Sequence, residues 1–433
     1  MSRSSAALRS ALLRGLTACL GACLCTAAAC GSANAPDPFV TQGTGHWEPT
    51  APAPPNATTA SQLFWTGKEV LVPSSTGVFE YDPAARRWAP FDGMAFNYAN
   101  QNYASQNNVA LAWTGTSLVA FGYSNNIDNG NVLTATSSPV AVSYDVATGV
   151  LKNISLQGAP SIRAFCDVLW TGTRVLVWGG GADKTDANGV ITAYEYSDGG
   201  LYDPASDSWT PIHSSPLSPP RSAESAVWTG SEMLIWGGEF GPAVDVLPPT
   251  GTTAPPSAPM PATPGVAYNP TTATWRAMST MGQPRPRAAH TAIWTGTEMI
   301  IWGGDGYFNA QSSDTVLADG AAYNPVTDTW RPIRPAPETG LYEAASVWTG
   351  TEMIVWGGKD KYGPGYSSRG YRYTPATDSW QYLTTVGAPA PRLFPGGTWT
   401  GRSLVVWGGL AFGDFAPWLT DGAQWFPEAA DGG

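Results

Sequence analysis

A chain of 433 residues is long enough for two or three separate cores, yet 13% charged residues, 49 Gly, 38 Pro and 20 Trp favour many short strands joined by tight turns. The formal net charge of −11 becomes −14 once the first 29 residues are set aside, because Arg3, Arg9 and Arg14 leave with them. A surface of that sign repels phosphate backbones and anionic lipid heads, which excludes nucleic acid as a partner and leaves any membrane contact to an anchor.

In chain order, the leader comes first. Basic residues up to Arg14, an apolar run from Gly15 to Ala29 and small residues before Cys30 form the three-part layout of an export signal. The run is too short to cross a bilayer with comfort. These residues resemble a bacterial lipoprotein signal, in which a cysteine after small residues is acylated and becomes the new N-terminus. Ala27-Ala28-Ala29-Cys30 leaves an apolar run of sensible length, whereas Leu20-Gly21-Ala22-Cys23 fits the residue preference but shortens the run. Cys30 is therefore preferred, with Cys23 as the alternative and a plain cleaved signal as the third option. The expected organisation is a signal peptide over 1–29, a lipidated cysteine and flexible tether over 30–45, and one folded unit over 46–433. Beyond Cys30 the only thiol is Cys166, so no disulfide framework holds that unit.

Self-similarity organises the rest. Trp-Thr-Gly recurs at Trp65, Trp113, Trp170, Trp228, Trp294, Trp348 and Trp399, at spacings of 48 to 66 residues. An apolar run precedes each copy and a second follows it, and five second runs end in Trp-Gly-Gly, at Trp178, Trp236, Trp302, Trp356 and Trp407. The pattern predicts a hairpin turning at Thr-Gly, where glycine takes the positive φ that a tight turn demands. A third strand follows, with Tyr81, Tyr144, Tyr202, Tyr268, Tyr323, Tyr373 or Trp425, and then a fourth opened by Trp88, Trp209, Trp275, Trp330 or Trp380. Copy two lacks that Trp, and copies one and two lack the Gly pair, so the first two units are degenerate. Four-stranded units that cannot cover their own faces stack radially.

In phase, these marks resemble the kelch repeat, a Gly pair closing the second strand with a Tyr and a Trp beyond it, and the resemblance spans residues 46–427. It implies an all-β, seven-bladed kelch-like β-propeller. The last copy stops after its third strand, Asp421 to Trp425, while His46-Trp47-Glu48-Pro49 matches Ser208-Trp209-Thr210-Pro211. The N-terminal strand is thus expected to complete the last blade and close the ring.

Most aromatic residues fall on repeat positions and read as packing; Trp418 does not. Together with Phe412 and Phe415 it occupies the loop after the seventh second strand, and Tyr307, Phe308, Tyr362 and Tyr366 occupy the matching loops of copies five and six. Arg163, Arg221, Arg287 and Arg392 each stand seven residues before the Trp of Trp-Thr-Gly. At that phase they are expected around the mouth of the central channel, where guanidinium forks suit carboxylates and aromatic faces suit sugars or apolar groups. The competing reading is that these arginines bond loop carbonyls. The long Pro- and Thr-rich loop 239–264 reads as a flap, a partner arm or a plain insertion.

Catalysis finds little support. His46, His213 and His290 lie in different copies without metal-ligand spacing. Some kelch-like propellers are galactose-oxidase-like copper enzymes built on a Tyr-His neighbour pair, which is absent here. Cys166 reads as a small buried apolar residue. Asp183, Asp186 and Asn188 lack the distal Glu of a calcium loop and read as solvated turn residues. Other kelch-like propellers are sialic-acid mutarotases, and Glu224 and Glu343 beside the arginine positions keep that alternative open. The expectation is an exported, monomeric binding module, lipid-anchored to the envelope or secreted, taking a glycan or peptide without cofactor or metal.

Overall fold

The computed structural model describes residues 37–54, 57, 61–74, 77–89, 109–126, 136–185, 191–215, 220–239, 265–306, 316–362, 365–412 and 418–428. Seven four-stranded antiparallel sheets follow one another along the chain. Blades I to VI are each built from four consecutive main strands; in blade VI these are Ala345–Trp348, Met353–Trp356, Gly370–Thr374 and Ser379–Tyr382. Blade VII uses Gly396–Trp399, Leu404–Trp407 and Gly422–Phe426, and takes its fourth strand, His46–Pro49, from the other end of the chain. The register runs from His46 opposite Phe426 to Pro49 opposite Ala423. The architecture is a seven-bladed β-propeller closed by its N-terminal strand.

The repeat chemistry explains each blade. At the Thr-Gly turns, glycines 67, 115, 172, 230, 296, 350 and 401 take φ between 82° and 103°. The threonine hydroxyl pins the turn, as where Glu298 N donates to Thr295 Oγ1 at 2.9 Å. Second strands are buried throughout, and they read as continuous apolar runs because both faces of each sheet are covered by neighbouring blades. On third and fourth strands, Tyr and Trp stand directly opposite, for example Tyr323 with Trp330 and Tyr373 with Trp380. Their ring centroids lie 5.0 and 4.8 Å apart.

In blades III to VII the Trp that ends the second strand then meets the fourth-strand Trp of the following blade. Trp178 and Trp275 are 4.6 Å apart, Trp302 and Trp380 4.9 Å, and Trp407 and Trp88 4.7 Å. Burying such ring pairs contributes about 0.5–1.5 kcal/mol each beyond the area removed from water. A second inter-blade tie runs along the outer edge. Asp328 Oδ1 accepts from Ser279 N at 2.9 Å and from the Tyr323 hydroxyl at 2.6 Å, while Trp330 Nε1 donates to Ser279 O at 2.7 Å. The same set recurs at Asp207, Tyr202 and Trp209 on Ser155.

Two expectations need correction here. Residues 37–45, expected within a free tether, are bonded to blade VI: Thr44 N donates to Tyr382 O at 2.9 Å, Thr384 N to Thr44 O at 3.1 Å and Thr385 N to Phe39 O at 3.3 Å. Phe39 is fully buried, so apolar burial holds the segment down. Asp183, expected in a solvated turn, lies in a strand, because Gly181–Thr185 pairs with Ile191–Glu195 as an extra ribbon between the second and third strands of blade III. Asp186 and Asn188 fall outside the described residues.

Candidate functional site

Antiparallel order puts all connections between second and third strands, and all segments leading into first strands, on one face of the ring, termed here the loop face. The two sets pair with each other there. Ala164 bridges Gly181, Ala288 bridges Asp305, Tyr342 bridges Lys359 and Leu393 bridges Leu410. Links also cross between blades: Gly304 N donates to Leu341 O at 2.9 Å and Gly358 N to Arg392 O at 2.8 Å.

The four arginines sit behind this lattice, not on its rim. Arg163, Arg287 and Arg392 are 0% exposed and Arg221 is 3% exposed. Arg287 Nε donates to Arg285 O at 3.1 Å, and Nη1 donates to Gly303 O at 3.0 Å and Asp319 O at 2.8 Å. Its Nη2 reaches Asp319 Oδ1 at 3.1 Å. Arg163 repeats this on Ser161, Gly179 and Asp198, and Arg392 on Ala390, Gly408 and Asp421. Arg221 donates to Gly237 O at 2.8 Å. The expectation of guanidinium groups lining a channel mouth is thus corrected: their donors satisfy carbonyls freed where each second strand ends at its Gly pair. Stacking adds to this at Arg163, which lies 4.0 Å from the Tyr196 ring centroid.

Two residues beyond each arginine clip, and at the same phase in blade VI where Leu341 replaces the arginine, stands a backbone feature that sequence reasoning missed. Phe165, Ala223, Ala289, Glu343 and Phe394 all adopt left-handed φ between 51° and 55°. Four of them are joined in series by three hydrogen bonds, Ala289 N to Ala223 O at 3.4 Å, Glu343 N to Ala289 O at 3.2 Å and Phe394 N to Glu343 O at 3.2 Å, forming part of a collar around the axis. Such strain, of order 1–3 kcal/mol per residue, persists only where surrounding contacts over-determine it. Nothing in the residue types, Phe, Ala and Glu, could have signalled it.

The position that follows each of these residues carries a titratable group in three blades. In blades III, IV and V it holds Cys166, Glu224 and His290. Glu224 packs over the Gly pair of blade III, where a Cβ on Gly179 would come within 2.5 Å of Glu224 Oε1. Asp167, on the innermost strand of blade III, accepts from the Ala226 backbone across the same seam. Burial pushes the Asp167 carboxyl up to about 7, and burial together with the Asp167 charge pushes Glu224 well above the carboxylate range. Glu224 Oε2 has no hydrogen-bond partner. His290, 8% exposed, lies edge-on to Trp236 at 5.3 Å, and burial holds its imidazole down at about 3. Burial also pushes the Cys166 thiol up to about 12, in keeping with a small apolar filler. No cluster of three or more His, Cys, Asp or Glu able to hold a metal occurs among the described residues.

The aromatic loop residues divide. Tyr307, Phe308 and Phe415 lie outside the described residues, as do Cys30, Cys23 and loop positions 240–264. Tyr362 and Phe412 are 53% and 52% exposed. Tyr366 meets Phe412 edge-on at 5.6 Å, joining the loops of blades VI and VII, and Trp418 is half-buried against Leu410. The Arg369 guanidinium lies 4.9 Å from the Tyr362 centroid and Lys361 Nζ lies 5.1 Å from it.

Blades of this pattern, with Gly pairs, Tyr-Trp cross-strand pairs and arginine clips in phase, define a kelch-like β-propeller. No protein-family profile matches the chain. A stretch of 136 residues, 30% of the chain, is 30% identical to Host cell factor of Drosophila melanogaster. That match spans 8% of the relative's length.

Proposed function

We propose that this chain is an envelope-attached binding module, exported and acylated at Cys30 or else at Cys23, whose loop face takes a glycan or peptide. The observation that carries the reading is the pair of exposed rings Tyr362 and Phe412 on the loops of two adjacent blades, with half-buried Tyr366 packed against Phe412. Tyr362 and Phe412 keep half of their large apolar surface in water, and loops mounted on a rigid ring are where binding residues concentrate. With the guanidinium groups committed to backbone carbonyls, recognition falls to ring faces and to Lys361 and Arg369. Those groups suit the flat faces of sugars or apolar side chains.

A glycan and peptide array tests this, comparing the native protein with a Tyr362→Ala/Phe412→Ala double variant. Retained folding with at least a tenfold weaker signal supports the patch. Equal signals remove it.

A second reading, mutarotation of an acidic sugar, draws on Asp167, whose carboxyl burial pushes up to about 7, and on Glu224, which burial and the Asp167 charge push upward. NMR of freshly dissolved sialic acid would show whether anomers equilibrate faster with protein present, and an unchanged rate ends that reading.

A further inference from the structure

The docked N-terminal segment fixes where the chain leaves the propeller. Asp37 Oδ1 accepts from Phe39 N at 2.9 Å and starts a single turn, Pro38–Thr41. Phe39 is wedged edge-on against Tyr371 at 5.2 Å and Tyr382 at 4.7 Å. Over it lies Arg369, its guanidinium 5.1 Å from the Phe39 centroid and 4.9 Å from the Tyr362 centroid. Arg369 also pairs with Asp37 at 3.7 Å and with Asp360 at 3.5 Å. One half-buried side chain, Arg369, therefore lies against both the chain's point of departure and Tyr362 on the loop face.

Covalent reach sets the next step. Residues 31–36 separate Cys30 from Asp37, and seven Cα steps of about 3.6 Å span at most about 25 Å. From Cys23 the limit is about 50 Å by the same measure. The corner around Asp37 is also unlike the rest of this acidic protein: two of its five lysines, Lys359 and Lys361, flank Asp360 in the same loop as Tyr362. Cations and amphipathic rings side by side suit a layer of anionic and zwitterionic lipid heads.

We infer that the loop face is turned toward the membrane holding acylated Cys30, with Tyr362, Phe412 and Lys361 against its headgroup layer. The inference rests on the anchoring proposed above. It makes the patch a second attachment beside the acyl group and requires any ligand of this face to be one presented within that layer. The opposite face, formed by the Thr-Gly turns and by the turns between third and fourth strands, looks away from the lipid. Val326, 91% exposed in such a turn of blade V, marks it.

The test uses the full lipidated chain in phosphatidylcholine–phosphatidylglycerol vesicles, with one dye at Tyr362→Cys or Phe412→Cys, or at Val326→Cys as the reference. Cys166, 7% exposed, does not compete for the label. A quencher attached to lipid headgroups should quench the first two sites several-fold more than the third, and a long Gly/Ser insertion after Ser32 should remove most of the difference. Equal quenching at all three sites in membrane-bound protein overturns the orientation while leaving the anchor intact. Native protein in the soluble fraction, or Cys30→Ser protein bound to membranes as firmly as native, overturns the Cys30 anchor and the orientation with it.

Discussion

Trp356 ends the second strand of blade VI and packs at 5.4 Å against Trp47, a residue 309 positions earlier whose indole donates to Thr384 O at 2.7 Å. The contact is the same second-strand to fourth-strand Trp pair found at the other seams, here assembled from the two ends of the chain. Ring closure therefore depends on an ordinary repeat contact, not on a special device.

Trp47→Ala should be among the most destabilising single changes. Trp47 is 7% exposed and belongs to the core between blades VI and VII, so truncation removes ring burial, the indole hydrogen bond and half of the pair. A loss of about 3–5 kcal/mol is expected, read as a lower urea midpoint. Loss of far less would mean that strand His46–Pro49 does not hold the ring shut.

Arg287→Ala should destabilise the fold by several kcal/mol, on the order of 3–5, since it strands the Gly303 and Asp319 carbonyls. Arg287→Lys should rescue little of this, because an ammonium cannot reproduce the planar fork. Denaturation of both variants, with array binding measured on the folded fraction, separates a clip from a ligand contact. Unchanged stability with lost binding would return Arg287 to the ligand.

The Asp167–Glu224 pair predicts a pH dependence. Asp167 has a folded pKa raised from 3.8 to about 7, so the folded chain binds the extra proton. Its contribution is fully present below about pH 4 and is lost as pH rises through about 7. Asp167→Asn, which still accepts from Ala226, should be more stable than native protein at pH 8 and should lose this slope. Urea midpoints at pH 5 and pH 8 decide the matter; a native protein that gains stability across that interval in step with Asp167→Asn would refute it.

His290 acts with opposite sign. Its folded pKa is depressed from 6.5 to about 3, so the unfolded chain takes up the proton first. Stability from this residue is present above about pH 6.5 and fades as pH falls toward 3. A variant His290→Leu should show a flatter acid limb than native in thermal scans between pH 6.5 and 4. Identical limbs would mean that His290 does not report on acid unfolding.

Periodicity determined much of this protein. Trp-Thr-Gly in seven phased copies and Trp-Gly-Gly in five of them specify the blades, and His46 to Pro49 identifies the closing strand, because strand order and turn chemistry are local properties written into adjacent residues. Exposed loop aromatics such as Tyr362 and Phe412 were legible for the same reason, as departures from the repeat. Tertiary structure alone decided what Arg287 points at, since a phase shared by four copies fits a mouth and a buried clip equally well until the freed carbonyls are located. It also decided that Phe39 docks on blade VI and that Asp167 and Glu224 share a seam. Those facts depend on contacts between residues far apart in the chain, where packing and desolvation, not local propensity, choose the partner.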